Sequence, residues 1–233
     1  MQVILTHEQA DFDAIAALLA AHILNERALP VLPRRVNRNV RAFLNLYGAE
    51  LPFVEARDLP QEEIEIITLV DTQSLITLKG MSERTNVHVI DHHQARKDLP
   101  PNWTLVIERV GATTTLLIED IQDHNGPLNH LQASLLLLGI YEDTGSLTYT
   151  STTPRDLRAA AFLLEQGASL ELVDEYLNPP LSEQQRELYN RLLQNAESVH
   201  IHGQHIIIAR ADARDLNEEI SSVAHKLRDL LDP

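Results

Sequence analysis

A chain of 233 residues exceeds the usual size of a single domain, so we expect one large domain, alone or with a small appendage. The absence of cysteine excludes disulfides, thiolate zinc sites and cysteine nucleophiles, and leaves any metal site to histidine and carboxylate ligands. Such ligands favour hard divalent cations, with Mn²⁺ as our first expectation and Mg²⁺ as the alternative. The formal charge of −15 argues against a nucleic-acid partner unless bound cations or a local basic cluster offset it.

The hydropathy pattern gives no sign of a membrane segment. Every apolar stretch is interrupted well before the ~18 residues that a membrane-spanning helix needs. The N-terminus enters a strand pattern without a basic leader. We therefore expect a cytoplasmic protein.

Apolar, β-rich runs alternate with helical patterns along most of the chain, which is typical of an α/β fold with a mainly parallel sheet flanked by helices. Strands are predicted at 2–6, 64–70, 87–90 and 104–107. Helices are predicted at 13–25, 39–47, 112–123, 129–140, 155–166, 169–177 and 182–196.

The last part of the chain predicts a small α+β segment. Residues 199–209 have the pattern of a hairpin that turns at Gly203, and 215–231 that of an amphipathic helix. A strand pair and one helix make a poor independent core, so this segment is expected to be truncated or to dock on the rest of the chain. We accordingly predict a main domain at 1–180, a connecting helix at 181–196 and a small or incomplete segment at 197–233.

Acidic and histidine side chains come just after the apolar runs. Ligands in open α/β sheets collect at the carboxyl ends of the strands, where loops from separate strands converge. Taken singly, each of these residues is more often a helix cap or a surface group. Together, carboxylates at one edge would repel one another without a cation, so the set predicts a two-metal hydrolase. Its members are His7, Asp11, Asp13, Asp71, Asp91, His92 and His93 at predicted strand ends, and Asp143 after a predicted helix.

A short basic segment stands out in this acidic chain and contains Arg34, Arg35, Arg38 and Arg41. One interpretation is the solvated start of a helix, because runs of surface charge usually have no further role. The other is an edge that contacts substrate phosphates, with Arg38 as the candidate substrate contact.

Four motifs occur in an order that resembles the DHH phosphoesterase superfamily, which includes RecJ-like exonucleases, nano-RNases and family II inorganic pyrophosphatases. They are His-x-x-x-Asp-x-Asp-Ala at 7–14, an aspartate after a strand at 71, Asp-His-His at 91–93 and Glu-Asp-Thr-Gly-Ser at 142–146. The small-residue loop 111–115 also matches these enzymes. The resemblance covers about residues 1–180, which would form the catalytic domain, and implies a substrate-binding role for 197–233.

The resemblance implies two ions that share the bridging ligand Asp71. The two ligand sets would be His7, Asp11 and Asp71 for one ion, and Asp13, Asp71, His92 and Asp143 for the other.

The resemblance also implies roles around the ions. Asp91 would orient its neighbour, and His93 would meet the scissile phosphate as a proton donor or electrostatic stabiliser. Thr113 would face the substrate. Asp71, Asp91 and His93 are therefore the expected catalytic residues.

Two departures separate the chain from many members of the superfamily. Ala10 and Phe12 stand where relatives carry proline and a small residue, so we expect Phe12 to alter packing or to line the pocket. The glycine- and histidine-rich motif of the nuclease members does not occur before Pro233. The chain also resembles the DHH portion of longer proteins that carry CBS domains and a poly(A) polymerase or tRNA nucleotidyltransferase module. In a longer chain, those modules would be its partners.

The expected function is hydrolysis of phosphodiester or phosphomonoester bonds in short RNA or in a small nucleotide such as 3′-phosphoadenosine 5′-phosphate. The alternative is a nucleotide- or RNA-binding regulatory module of a larger polymerase with little turnover. Inorganic pyrophosphatase activity is less favoured, because the second half of the chain lacks a basic phosphate pocket. The sequence leaves open the length of the substrate and the oligomeric state, including a homodimer.

Overall fold

The computed structural model describes residues 1–124, 126–214 and 220–231. Contacts between Cα atoms divide the chain into two compact units, Met1–Asn178 and Pro179–Pro233. No helix among these described residues is both long and apolar enough to cross a membrane. The assignment of a catalytic role to the first unit and a substrate-binding role to the last segment stays a prediction.

The first unit is built on a six-stranded sheet in which all neighbouring strands run parallel, in the order β3-β2-β1-β4-β5-β6. This confirms the predicted α/β class. Apolar side chains on the central strands β1, β4 and β5 are buried on both faces of the sheet, with the helices packed on one face and residues outside the α-helices, such as Leu78 and Trp103, on the other. The strands are β1 Gln2–Leu5, β2 Ala28–Leu32, β3 Val54–Glu55, β4 Ile66–Val70, β5 Asn86–Asp91 and β6 Thr104–Ile107.

Two strands, β2 and β3, were not expected from the sequence. Pro30 lies inside β2, and proline argues against a strand interior because it cannot donate to the ladder. The structure tolerates it because β3 pairs only with Val31 and Leu32, so Pro30 has no partner in β3. The two residues of β3 are too few to show an alternating pattern.

The described part of the first unit has six α-helices, of which α1 and α3 pack directly against the sheet and α4 packs on α1. The most buried is α1, in which every residue from Phe12 to Ala21 is inaccessible to solvent or nearly so. Gly139 of the neighbouring helix α4 allows that helix to approach α1 closely, since a Cβ at this position would lie 2.7 Å from Ala16 Cβ. The helices are α1 Phe12–Leu24, α2 Arg38–Tyr47, α3 Thr113–Asp123, α4 His130–Thr144, α5 Pro154–Glu165 and α6 Leu170–Leu177, with short 3-10 turns at Gly48–Glu50 and Ala56–Asp58.

Helix α4 is longer than the sequence pattern indicates. The prediction that Asp143 follows this helix is wrong, because α4 continues to Thr144 and Asp143 lies in its last turn. The apolar run ends at Ile140, but nothing stops the helix until Gly145, whose φ of 55° is the left-handed conformation of a helix C-cap. The stop signal was the glycine and not the end of the apolar pattern.

The second unit contains the predicted hairpin, which turns at Gly203 with a φ of 80°. Its strands are antiparallel and pair His200 with His205. The first five residues of the predicted helix 215–231 lie outside the described residues. The elements are α7 Glu183–Gln194, β7 Glu197–Ile201, β8 Gln204–Ile208 and α8 Ser221–Leu231.

Candidate metal centre

The carboxyl edge of the sheet gathers every residue that was predicted to bind metal. The loops after β1, β4 and β5 meet there, together with the last turn of α4. Two groups of three side chains each have their ligand atoms within 4.8 Å of one another. These groups are His7, Asp11 and Asp71, and Asp13, His92 and Asp143.

Asp71 joins the two groups. One carboxylate oxygen, Oδ2, lies 3.3 Å from His7 Nε2, and the other, Oδ1, lies 3.6 Å from His92 Nε2. The residue adopts a φ of 55°, in the left-handed region that few side chains occupy. Backbone strain of this kind persists where the surroundings enforce it, often at functional sites. Here the Asp71 N–H donates to Ile90 O at 3.0 Å, which extends the hydrogen bonding between β4 and β5 by one residue.

The start of α1 positions two of the carboxylates. Asp11 is the N-cap, and its Oδ1 accepts a hydrogen bond from the Ala14 N–H at 3.1 Å. Asp13, fully buried in the first turn, accepts from the backbone N–H groups of Thr113 at 2.7 Å and Thr114 at 2.9 Å. The N-terminus of α3 thus holds the Asp13 carboxylate in place, as the helix dipole favours.

In each of the two groups, one ring nitrogen of the histidine contacts a backbone carbonyl. His7 Nδ1 lies 2.9 Å from Glu8 O, and His92 Nδ1 lies 3.2 Å from Val110 O. These contacts fix the ring and leave Nε2 free to bind a cation, which is the usual arrangement of histidine ligands.

His92 Nε2 tests whether the residues fit a metal. It is buried, lies 3.2 Å from Asp143 Oδ2, and makes no hydrogen bond with any residue that the structure describes. A buried polar nitrogen without a partner is costly unless something else satisfies it. A divalent cation between these groups would do so, and the nitrogen and oxygen donors suit Mn²⁺ or Mg²⁺.

Asp91 orients His93 and not His92. Its Oδ1 lies 2.7 Å from His93 Nδ1, and its Oδ2 accepts from Gln73 Nε2 at 2.7 Å. These contacts lower the pKa of Asp91, although burial alone would raise it. Because both oxygens are occupied, Asp91 is suited to positioning His93, whose side chain is 59% exposed.

The concentrated negative charge perturbs titration throughout the centre. The carboxylate of Asp71 raises the pKa of His7 to about 9. Burial would lower the pKa of His92, but Asp143 and the other carboxylates raise it to about 10. Burial and neighbouring carboxylates also raise the pKa of Asp13 well above its ordinary value. Without a cation, the centre therefore retains protons that carboxylates and histidines would ordinarily release.

Thr113 and Arg38 were the other predicted contacts. Thr113 is fully buried, and its Oγ1 donates to Asp71 Oδ1 at 2.9 Å while accepting from the His92 N–H at 3.3 Å. These contacts favour a role in holding the ligands over direct contact with substrate. Arg38 is the exposed first residue of α2.

Two supporting residues were missed by the sequence analysis. Glu142 accepts a hydrogen bond from the Phe12 N–H, and burial together with the charge of Asp11 raises its pKa to about 8. Its place directly before Asp143 was the only signal. Gln73 carried no signal, because an isolated glutamine after a strand is commonplace.

Phe12 packs away from the pocket. It is fully buried and meets Phe43 edge-to-face at 5.8 Å and Tyr176 at 6.2 Å between ring centroids. Phe12, the residue that departs from the pattern of the superfamily, therefore anchors the start of α1 in an aromatic cluster and does not line the centre.

Comparison with known proteins finds similar sequences and similar solved structures, among them the following three. The chain is 36% identical to the A-adding tRNA nucleotidyltransferase of Geobacter sulfurreducens, covering 99% of this chain and 27% of the relative. It is 26% identical to the bifunctional oligoribonuclease and PAP phosphatase NrnA of Mycoplasma genitalium, and the match covers 76% of this chain and 56% of the relative. The structure of a putative family II inorganic pyrophosphatase from Methanococcus jannaschii shares the fold, with a TM-score of 0.60 and 23% identity. The match covers 99% of this chain and 78% of that structure.

The model of the DHH family, N-terminal domain, matches residues 2–140, which contain most of the carboxyl-edge cluster. With that match spanning more than half of the chain, and with the predicted motifs converging at one edge of the sheet, the chain belongs to the DHH family.

Proposed function

We propose that this chain hydrolyses phosphoester bonds in short RNA or in small nucleotides, using two divalent cations. Mn²⁺ is the expected metal and Mg²⁺ the alternative. The observation that carries the proposal is that Asp71 lies between two separate sets of ligands, because one shared carboxylate is the hallmark of a two-metal site.

Each set would hold one ion. His7, Asp11 and Asp71 would bind the first, and Asp13, His92 and Asp143, again with Asp71, the second. When bound, the cations would polarise the phosphoryl group and stabilise the negative charge of the transition state. They would also neutralise the carboxylates that otherwise repel one another and the substrate.

His93 is positioned to act on the substrate. Its Nδ1 is held by Asp91, and the hydrogen bond to that carboxylate raises the pKa of His93. The imidazole is therefore protonated at neutral pH more often than an ordinary histidine. The exposed ring can then donate a hydrogen bond to a phosphoryl oxygen, or a proton to the leaving oxygen.

The relatives support the choice of substrate. Members of the DHH family are phosphoesterases, and the relative from Mycoplasma genitalium is named for action on oligoribonucleotides and 3′-phosphoadenosine 5′-phosphate. The nucleotidyltransferase relative is named for a tRNA substrate. RNA or a nucleotide is the substrate class that both names share.

The test is release of product from labelled RNA dinucleotides and longer oligomers, 3′-phosphoadenosine 5′-phosphate and pyrophosphate, with Mn²⁺ and without it. Asp71→Asn should lower turnover by at least a thousandfold, because it weakens a ligand of both ions. Asp123→Asn, an exposed carboxylate at the end of α3, is the matched control and should retain full turnover. Turnover that survives Asp71→Asn would contradict the two-metal site.

A second candidate is favoured by the coverage of the relatives. The chain spans 27% of the length of the Geobacter sulfurreducens nucleotidyltransferase, so it could serve as an RNA- or nucleotide-binding regulatory module of a longer protein. CBS and nucleotidyltransferase modules are the proposed neighbours, and a homodimer is the proposed assembly. Tight binding of RNA and Mn²⁺ without turnover of any substrate in the panel would favour this candidate.

A further inference from the structure

Exposed arginines lie on both sides of the metal centre, along the same carboxyl edge of the sheet. Arg34 and Arg35 follow β2, and Arg109 follows β6. The proposed ligands other than Asp143 come after β1, β4 and β5, which lie between those two strands in the sheet. Positive charge therefore stands at each end of the row of loops that forms the centre.

Hydrogen bonds of the Arg35 backbone fix this segment beside the ligand loop. The Gln9 N–H donates to Arg35 O at 2.9 Å, and the Arg35 N–H donates to Glu8 Oε2 at 3.1 Å. Ala10 and Val36 form a parallel bridge one residue further on. The segment that carries Arg34 and Arg35 is thus attached to the loop that carries His7 and Asp11.

The chain has a formal charge of −15, so acidic side chains are available to pair with arginines. Elsewhere on the first unit, Arg155 pairs with both Glu108 and Glu119, which shows that acidic partners are used where they serve the fold. Within the part of the chain that the structure describes, four arginines of the carboxyl edge and of α2 form no ion pair. They are Arg34, Arg35, Arg41 and Arg109.

The start of α2 carries charge of the unfavourable sign. Its first turn contains no acidic residue, and arginines occupy positions 38 and 41. The helix dipole places partial positive charge at this end, so cations here are disfavoured and an anion would be stabilised. Unfavourable local charge of this kind, at the edge of a candidate site, is expected where a function requires the arginines.

We propose that Arg34, Arg35 and Arg41 on one side, and Arg109 on the other, bind phosphates of a single-stranded oligonucleotide that crosses the metal centre. The proposal rests on the proposed function and selects among its substrates. Four strand spacings of ~5 Å separate β2 from β6, or roughly 20 Å. A mononucleotide cannot reach both sides of such a site, whereas an oligonucleotide of a few residues can.

The first test measures binding of a fluorescein-labelled RNA pentanucleotide by anisotropy, with Ca²⁺ filling the carboxylate sites. The variant R34Q/R35Q is compared with R27Q/R84Q, which removes two exposed arginines from the opposite, amino edge and changes the net charge equally. R34Q/R35Q should weaken binding about tenfold and reduce the slope of log K against log[salt] by ~0.7 for each lost contact. R109Q should also weaken binding, whereas R27Q/R84Q should bind the pentanucleotide within twofold of the unmodified chain.

The second test separates the oligonucleotide from a small substrate. With Mn²⁺, R34Q/R35Q should lower kcat/KM for the pentanucleotide about tenfold and leave kcat/KM for 3′-phosphoadenosine 5′-phosphate within threefold. Equal losses on both substrates, or pentanucleotide binding equal to that of R27Q/R84Q, would overturn the inference. Failure of the proposed function would look different, because the unmodified chain would then turn over no substrate while the anisotropy comparison still stands.

Discussion

His7 and His92 show how single residues prepare a site for a cation. Each ring is fixed through Nδ1 by a backbone carbonyl, and each Nε2 faces Asp71 at 3.3 or 3.6 Å. The carboxylates that attract a cation also attract protons, which is why the pKa of His7 rises to about 9 and that of His92 to about 10. Protons and metal ions therefore compete for the same positions.

This competition predicts that Mn²⁺ affinity rises with pH. Both histidines are mainly protonated in the metal-free chain at neutral pH and must release those protons to bind a cation. Affinity should increase about tenfold per pH unit for each proton displaced, until the pH passes 9 to 10. Calorimetric titration between pH 6.5 and 8.5 measures this increase, and buffers of different ionisation enthalpy count the protons released. An affinity that does not change over this range would contradict the raised pKa values.

The same pKa shifts set the sign of a stability change in the metal-free chain. The folded pKa of each histidine exceeds the unfolded value of 6.5, so the stabilisation is complete below pH 6.5 and is lost as the pH rises towards 9 to 10. The raised pKa of Asp13 acts in the same direction. Stability without metal should thus fall with rising pH, and Mn²⁺ should offset the loss.

Phe12 connects packing to the centre, because it stands between Asp11 and Asp13. Phe12→Ala should cost about 3–5 kcal/mol of stability, as other large-to-small core changes do. It should also weaken Mn²⁺ binding, since the aromatic cluster fixes the start of α1. Phe43→Ala is the matched control, because it removes a ring of the same cluster that is remote in sequence from any proposed ligand. Equal Mn²⁺ affinity in two folded variants would show that Phe12 serves stability alone.

At the level of elements, Asp156 links α5 to the loop that supports the centre. This buried carboxylate accepts from the Gly111 N–H at 3.0 Å, from Thr115 Oγ1 at 2.6 Å and from Thr153 Oγ1 at 2.8 Å. Gly111 stands two residues before Thr113, which contacts Asp71. The N-termini of α3 and α5 are thus joined through one side chain.

Asp156→Ala should therefore destabilise the chain by about 2–4 kcal/mol, since it leaves several buried donors without partners. Urea unfolding monitored by circular dichroism measures the change. Asp174→Ala, an exposed carboxylate on α6, should change stability by less than about 0.5 kcal/mol. A loss at Asp156 no larger than that of this control would show that the three donors find other partners.

The elements also show what the sequence could predict. The strands that lead to Asp71 and Asp91 were recognisable because runs rich in apolar residues precede these aspartates. The strand β2 was hidden by Pro30, which only its position next to the short β3 makes tolerable. Contacts between distant segments, such as Asp13 with the backbone of Thr113, leave no pattern in either segment. The motifs thus located the side chains that converge at the carboxyl edge, whereas the residues that hold those side chains in place left no comparable signal.

At the scale of the whole molecule, the candidate metal centre belongs to one unit. Every proposed ligand, and every supporting contact described above, comes from Met1–Asn178. A ligand that binds only the folded state stabilises it, by about 2.7 kcal/mol at a hundredfold excess over Kd. Mn²⁺ should therefore raise the Tm of the chain, and Asp71→Asn should abolish the shift.

A chain that ends at Asn178 should show the same Mn²⁺-dependent rise in Tm, because it retains both ligand sets and the loops that orient them. Circular dichroism would establish that the shortened chain is folded, and thermal unfolding with increasing Mn²⁺ would give its apparent Kd. We expect a Kd within threefold of that of the full chain. A folded 1–178 chain without Mn²⁺ binding would mean that residues 179–233 supply a ligand, which would require a different assignment of the second ion from the one proposed here.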